Sequence, residues 1–170
     1  SIVRSARVSY NAEPRNDGSD EKLIHYLYKN RHTSPFEAVN FTFEVSAPIF
    51  VFRQWHRHRT WSYNEISARY SQLPEEFYVP AIDQITTQHT DNKQMRTDEM
   101  HPSCRHIAMM IRDQNQESFN MYKHLIEMGT PRELARTVLP VGTYSKMFAS
   151  VDLHNLFHFL RLRMHSHAQY

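Results

Sequence analysis

VNFTFEV, residues 39–45, alternates apolar and polar side chains without a break: Val39, Phe41, Phe43 and Val45 against Asn40, Thr42 and Glu44. A period of two predicts a strand with one buried face. What flanks this strand decides the fold class. Upstream, Leu23, Ile24, Leu27 and Tyr28 recur at helical spacing and predict a helix over 20–31, followed by a turn at 32–35. Downstream, Pro48 sits at the first position of a predicted helix over 48–57, apolar at its start and basic at its end. A long helix is predicted over 103–128, with Ile107, Met110, Ile111, Phe119, Tyr122, Leu125 and Ile126 inward and Gly129 as its stop. Thr130 and Pro131 read as cap and first residue of a short helix. A second strand is expected over 142–151. Asp152 then caps a last helix with Leu153, Leu156, Phe157, Leu160 and Met164 on its apolar stripe and His154, His158, Arg161 and His165 opposite. Segments 11–20 and 82–100 are polar and read as loops. Nothing alternates as βαβ units, so the pattern predicts an α+β fold with antiparallel-compatible strands in a single domain over 1–170.

Composition narrows the function. The net charge is +2 with histidines neutral, too small for a general nucleic-acid binder, so no nucleic-acid partner is expected. No apolar run approaches the roughly 18 residues of a membrane span, so no membrane association is expected. The one cysteine, Cys104, permits neither an internal disulfide nor a cysteine-based zinc site and suits a reducing, cytoplasmic compartment. Arg105 and His106 could lower its pKa, but its setting reads as a loop-to-helix start rather than a catalytic site. With only Gly18, Gly129 and Gly142, the chain cannot build a glycine-rich phosphate loop, so any phosphate falls to arginines and helix N-termini. His154 and His158 stand at i, i+4, with His165 and His167 following. There is no H-E-x-x-H and no carboxylate partner, so no metal is expected.

RQWHRHRTWSYNEISARYS, residues 53–71, concentrates the positive charge among tryptophans and tyrosines, with Glu65 as its one acid. Guanidinium forks suit phosphate oxygens and stack on flat rings, as Trp55, Trp61, Tyr63 and Tyr70 would. An anionic, aromatic, phosphorylated ligand fits: a nucleotide or a flavin. A basic helix end followed by an irregular connection, its aromatics reaching the core, fits equally well. Ser62, Ser67 and Ser71 lie near His56 and His58, but no glycine-flanked nucleophile elbow is present, so hydrogen bonding is their expected role.

The segment reads RHR, then TWSYNEI, then Ser67, continued as ARYS. This RHR-x7-S pattern resembles the signature of the flavin-dependent thymidylate synthases. RHTSPFE, FTFEV, APIFVFRQW, EEFYVP, PRELARTVLP and LRLRMHSHAQY resemble that family in the same order. The resemblance implies methylation of dUMP to dTMP, with methylenetetrahydrofolate supplying the carbon, NADPH the electrons and FAD carrying the hydride. It implies a homotetramer whose active sites are assembled from several subunits around an antiparallel sheet flanked by helices. By motif position, Arg57, His58 and Arg59 contact FAD, helped by Ser34 and Glu65, while Asp152, Leu153, His154 and His158 lie against the flavin. Gln54, Trp55, His56 and Arg57 line the dUMP site, with Glu65, Ile66, Ser67, Ala68 and Arg69, and Arg136 is on the nucleotide. Arg163 takes the catalytic place beside the uracil, and His32 belongs to the folate and NADPH side. The family often has Asn at the positions of Asp152 and His158; an acid beside a flavin phosphate would be unfavourable. No enzyme nucleophile is implied, and Cys104 falls outside every matching motif. Two other classes stay open on the residues alone: a non-catalytic nucleotide- or RNA-binding domain, and a histidine-rich metal protein.

Overall fold

The computed structural model describes residues 1–11, 15, 18–165 and 168, and the alternation at Val39 becomes strand β1, Asn40–Pro48. Ahead of it come α1 (Ile2–Arg7), α2 (Ser19–Lys29) and α3 (Ser34–Glu37). After it follow α4 (Ile49–Trp55), β2 (Ser62–Glu65), β3 (Thr86–Gln88), β4 (Arg96–Met100), α5 (Cys104–Glu127), α6 (Arg132–Ala135), β5 (Tyr144–Asp152) and α7 (Leu153–Arg163). One sheet has the strand order β1-β5-β2, and β3 and β4 form a separate antiparallel pair. The Leu153 amide donates to the Val39 carbonyl at 2.8 Å and the Ile49 amide to the Thr143 carbonyl at 3.0 Å, which fixes β1 antiparallel to β5. The fold is α+β, with antiparallel sheets flanked by helices.

The chain divides into two compact units: Ser1–Glu44, His58–Asn64 and Phe148–Tyr170 form one, Val45–Arg57 and Glu65–Met147 the other. In the first, Arg7 of α1 pairs with Asp20 in the first turn of α2. Val3, Leu27, Phe36 and Trp61 are buried. Phe43, Tyr63 and Phe159 surround Trp61, with the Phe159 ring edge-on at 5.0 Å. Helix α2 ends through Arg31, whose φ of 57° is left-handed backbone that costs a non-glycine residue about 1 kcal/mol. That turn brings the His32 amide to the Leu27 carbonyl at 2.9 Å.

In the second unit, Phe119 and Tyr122 of α5 and Ala135 of α6 form a core with Phe77, Leu125, Ile126, Val138 and Leu139 around it. Gly129, at φ +80°, stops α5, where the Thr130 amide reaches back to the Leu125 carbonyl at 3.0 Å. Glu75 accepts hydrogen bonds from Lys123 and Gln116, which hold its carboxyl below the ordinary carboxylate range. The Tyr78 amide on the Gly142 carbonyl and the Tyr144 amide on the Glu76 carbonyl, both 2.9 Å, pair this segment with the start of β5.

Several sequence expectations need correction. Phe41 and Phe43 stack on each other on β1 but remain 38% and 37% exposed, so their face is not a buried one within this chain. The buried alternation belongs to the central strand β5, through Ser145, Met147, Ala149 and Val151. Residues 82–100 form no plain loop: a 3-10 turn leads into the β3–β4 hairpin, closed in part by a 2.6 Å bond between the Thr87 and Thr97 hydroxyls. Pro48, in extended conformation, caps α4 rather than opening it, and Pro131 rather than Thr130 caps α6. On α5, Met110 is exposed while Cys104, Ala108 and Asn115 turn inward. The stripe predicted on the last helix is only partly covered: Leu160 and Met164 are exposed, Phe157 packs on Tyr28 and Phe36 while staying 37% exposed, and Phe159, outside the stripe, packs on Trp61. The loop expected at 11–20 falls partly, and His167 wholly, outside the described residues.

Asp152 does cap α7. One carboxylate oxygen accepts the Asn155 amide at 2.9 Å and the other the Asn155 side chain at 2.6 Å. Asp152→Ala should therefore lower stability by about 1 kcal/mol, and Asp152→Asn, which keeps an acceptor, by only a few tenths. Urea unfolding of the two variants side by side checks the order.

Candidate active site

Two cavities gather residues that the sequence scatters. The first lies in the second unit, has a volume of about 370 Å³ and is lined by Glu65, Ile66, Ser67, Ala68 and Arg136 together with Ile49, Leu73, Leu139 and Ser145. Backbone geometry explains how 65–68 reach it. The Ile66 amide bonds to the Lys146 carbonyl at 2.9 Å, which continues the β2 pairing with β5. The chain then turns, with the Tyr70 amide on the Ser67 carbonyl at 3.0 Å and the Arg69 amide on the Ser67 hydroxyl at 3.3 Å. Ser67 is thus a turn former that lines the cavity, with its hydroxyl engaged by the Arg69 amide as an acceptor rather than set beside a base. Arg136 follows the end of α6, its Nε on the Glu133 carbonyl at 3.3 Å. Arg69 is exposed and lies 4.0 Å from Glu133.

Ser145 is the residue that the sequence reading missed here. It is 4% exposed, and its hydroxyl donates to Glu65 Oε1 at 2.7 Å. The signal was available: Ser145 occupies an inward position of the β5 alternation, where a polar side chain needs a partner. Gln54, Trp55, His56 and Arg57, expected at the same site, lie at the far end of α4 and just beyond it, while α4 reaches the cavity through Ile49.

The second cavity, about 420 Å³, lies in the first unit. Tyr28, Phe36 and Phe157 give it aromatic walls; Lys29, Arg31 and Arg161 give it cations; His154 and His158 complete it with Thr33. His154 and His158, which the family resemblance sets against the flavin, both line this cavity. Ser34 opens α3 next to Thr33 and is exposed; Leu153 starts α7, and Asp152 is committed to its cap. Arg161 Nη2 lies 3.4 Å from His158 Nδ1. Among the described residues no group of three or more His, Cys, Asp or Glu could hold a metal ion, and no helix is long and apolar enough to cross a membrane.

Also in the first unit, the structure joins two residues 105 positions apart: Arg163 Nε donates to His58 Nε2 at 3.0 Å. The His58 ring stands edge-on to Phe159 at 4.8 Å, and its carbonyl accepts the Tyr63 hydroxyl at 2.9 Å. Burial first, then the Arg163 guanidinium and His158, push the His58 imidazole below its ordinary value of 6.5. Burial also pushes the Tyr63 phenol up. Arg59, expected beside His58 on the flavin, is exposed.

A family model described as "Thymidylate synthase complementing protein" matches residues 1–170. A flavin-dependent thymidylate synthase of Dictyostelium discoideum is 47% identical over 99% of the chain, and one of Treponema denticola 52% identical over 99%. The chain spans only 56% and 64% of those relatives' own lengths. Among solved structures, the UMP/dUMP methylase PolB from Streptomyces cacaoi, bound with 5-bromo-dUMP, aligns at a TM-score of 0.83 and 39% identity over 95% of this chain and 72% of its own. The match covers the residues of both units, and the chain belongs to the thymidylate synthase complementing protein family.

Proposed function

We propose that the protein is a flavin-dependent thymidylate synthase, which methylates dUMP to dTMP with methylenetetrahydrofolate as carbon donor, NADPH as reductant and FAD as hydride carrier. The observation that carries this reading is the convergence of residues 65–68 with Arg136 on one cavity. Those are the positions that the family resemblance gives to the nucleotide. Arg136 offers a fork for phosphate, and the Ser67 hydroxyl and Glu65 offer polar edges for sugar and base.

The second cavity suits a flavin nucleotide by its donor set. Aromatic walls accept a flat ring, and Lys29, Arg31 and Arg161 neutralise phosphates. FAD bound there would supply hydride chemistry. The chain's own residues bind, orient and polarise. Arg163 is always charged and serves as the electrophilic partner of the uracil N3/O2 edge, stabilising negative charge as C5 becomes nucleophilic. Ser34, Arg57, His58 and Arg59 take flavin contacts, with Leu153 and Asp152 at the start of α7; Asp152, whose carboxylate already caps the helix, contributes through its backbone. Gln54, Trp55 and His56 belong to a nucleotide site completed by another subunit of a homotetramer. Their distance along α4 from the cavity in their own unit supports that arrangement, as do the exposed Phe41, Phe43, Met109, Met110 and Met121. Cytoplasmic residence follows from the same reading.

No thiol takes part. Cys104 is buried at the start of α5 and lines neither cavity. Cys104→Ala should keep dTMP formation at the wild-type level while costing about 1 kcal/mol of stability. A folded but inactive variant would reopen a cysteine mechanism. The reading itself is tested by purifying the full-length protein: it should carry a yellow flavin spectrum that bleaches with NADPH. A colourless protein that cannot be reconstituted with FAD would point to a non-catalytic nucleotide-binding domain.

A further inference from the structure

The contact between Arg163 and His58 says more than that both residues are present. A ring nitrogen that accepts an N–H carries no proton, so His58 is neutral with its proton on Nδ1. The ring is held on other sides as well: Phe159 packs its edge, and the Tyr63 hydroxyl anchors the carbonyl of the same residue. Phe159 is in turn packed on the buried Trp61. The acceptor nitrogen is therefore a fixed point, and it engages Arg163 through Nε, the one guanidinium N–H outside the terminal fork. Holding Nε sets the plane in which the two terminal nitrogens lie.

We propose that His58 is a positioning residue for Arg163: its unprotonated Nε2 orients the guanidinium toward the substrate, and protonation of His58 in acid releases it. This rests on the reading of Arg163 as the group that polarises the substrate. The charges facing His58 agree. Burial first, and then Arg163 and His158 of α7, disfavour the imidazolium. Tyr63 from β2 brings a neutral hydroxyl, which donates to the His58 carbonyl, and the chain neighbours Arg57 and Arg59 are themselves cations and exposed. The neutral ring thus persists below 6.5, and Arg163 stays held across the neutral range. As the pH falls through the lowered value, a second cation appears 3.0 Å from the guanidinium and the hydrogen bond cannot survive.

Long-range proton–nitrogen NMR of the full-length, histidine-labelled protein tests the first half without any need for turnover. The expected spectrum shows His58 as the Nδ1-protonated tautomer with a titration midpoint below 6.5. An Nε2-protonated or charged ring at neutral pH overturns the proposal whatever the protein's activity. The second half is read from kcat per bound flavin in two variants. His58→Leu removes the acceptor and should lose up to about a hundredfold, the scale of a misplaced catalytic group. His58→Gln restores an acceptor oxygen that does not titrate; it should turn over at least about tenfold faster than His58→Leu, a gap of about 1.4 kcal/mol, and lack the wild-type fall in rate on the acid side. Equal rates for the two variants, or an unchanged acid limb in His58→Gln, overturn the positioning role. Absence of dUMP turnover in wild type would fail the proposed function, while the NMR result would still decide the tautomer.

Discussion

Arg163→Ala should lower dTMP formation by about 10²–10³-fold, the usual cost of deleting one preorganised donor to a developing negative charge, while the protein still folds. The two halves of this expectation come from one position. Arg163 is the last residue of α7, so its truncation disrupts no helical interior. What folding loses includes the hydrogen bond to His58 and a cation at a helix C-terminus, together about 1–2 kcal/mol. On the proposed reading, what the reaction loses is a charge aimed where the uracil becomes anionic. kcat and kcat/KM should therefore fall together, the mark of an interaction made mainly in the transition state. Arg163→Lys should recover little, because an ammonium lacks the planar fork that presents two terminal nitrogens while Nε is held by His58. Steady-state assays with the melting temperature measured in parallel check both halves. A Tm loss that explains the inactivity would remove Arg163 from the chemistry.

Phe119→Ala carries the largest expected effect on stability, about 3–5 kcal/mol. Phe119 is 1% exposed and meets Tyr122 edge-on at 5.8 Å and Phe77 at 6.3 Å. Removing the ring leaves a cavity where α5, α6 and the 75–78 segment meet. That is a large share of the roughly 5–15 kcal/mol that holds a typical domain. Urea denaturation should show the midpoint shift; a change under about 1 kcal/mol would mean that the core has collapsed into the space or lies elsewhere.

Local pattern carried the fold as far as local pattern reaches. The alternation at 39–45, the cap at Asp152 and the stop at Gly129 each depend on a few neighbouring residues, and each appears as expected. The burial of those elements does not follow from pattern. Phe41 and Phe43 alternate as inward residues should, yet both stay more than a third exposed, Phe43 even where it packs on Trp61. The β3–β4 hairpin was invisible because its strands are polar and short, paired through threonine hydroxyls rather than an apolar face. For the site, motif resemblance named Glu65, Ser67, Arg136, His154 and His158, all of which line cavities. It could not supply Ser145 or the bond between His58 and Arg163, because those depend on pairings made across the fold. Chain separation hid them: 80 residues in the first case and 105 in the second.

The central claim is that this chain belongs to an enzyme that activates C5 of dUMP through a flavin and without a thiol. Tritium release from C5-labelled dUMP by the full-length protein, with FAD, NADPH and methylenetetrahydrofolate, tests it most directly. The account predicts release that requires FAD and NADPH, that persists in Cys104→Ala and that collapses in Arg163→Ala. Release that proceeds without flavin, or that vanishes with Cys104 and survives without Arg163, would contradict it.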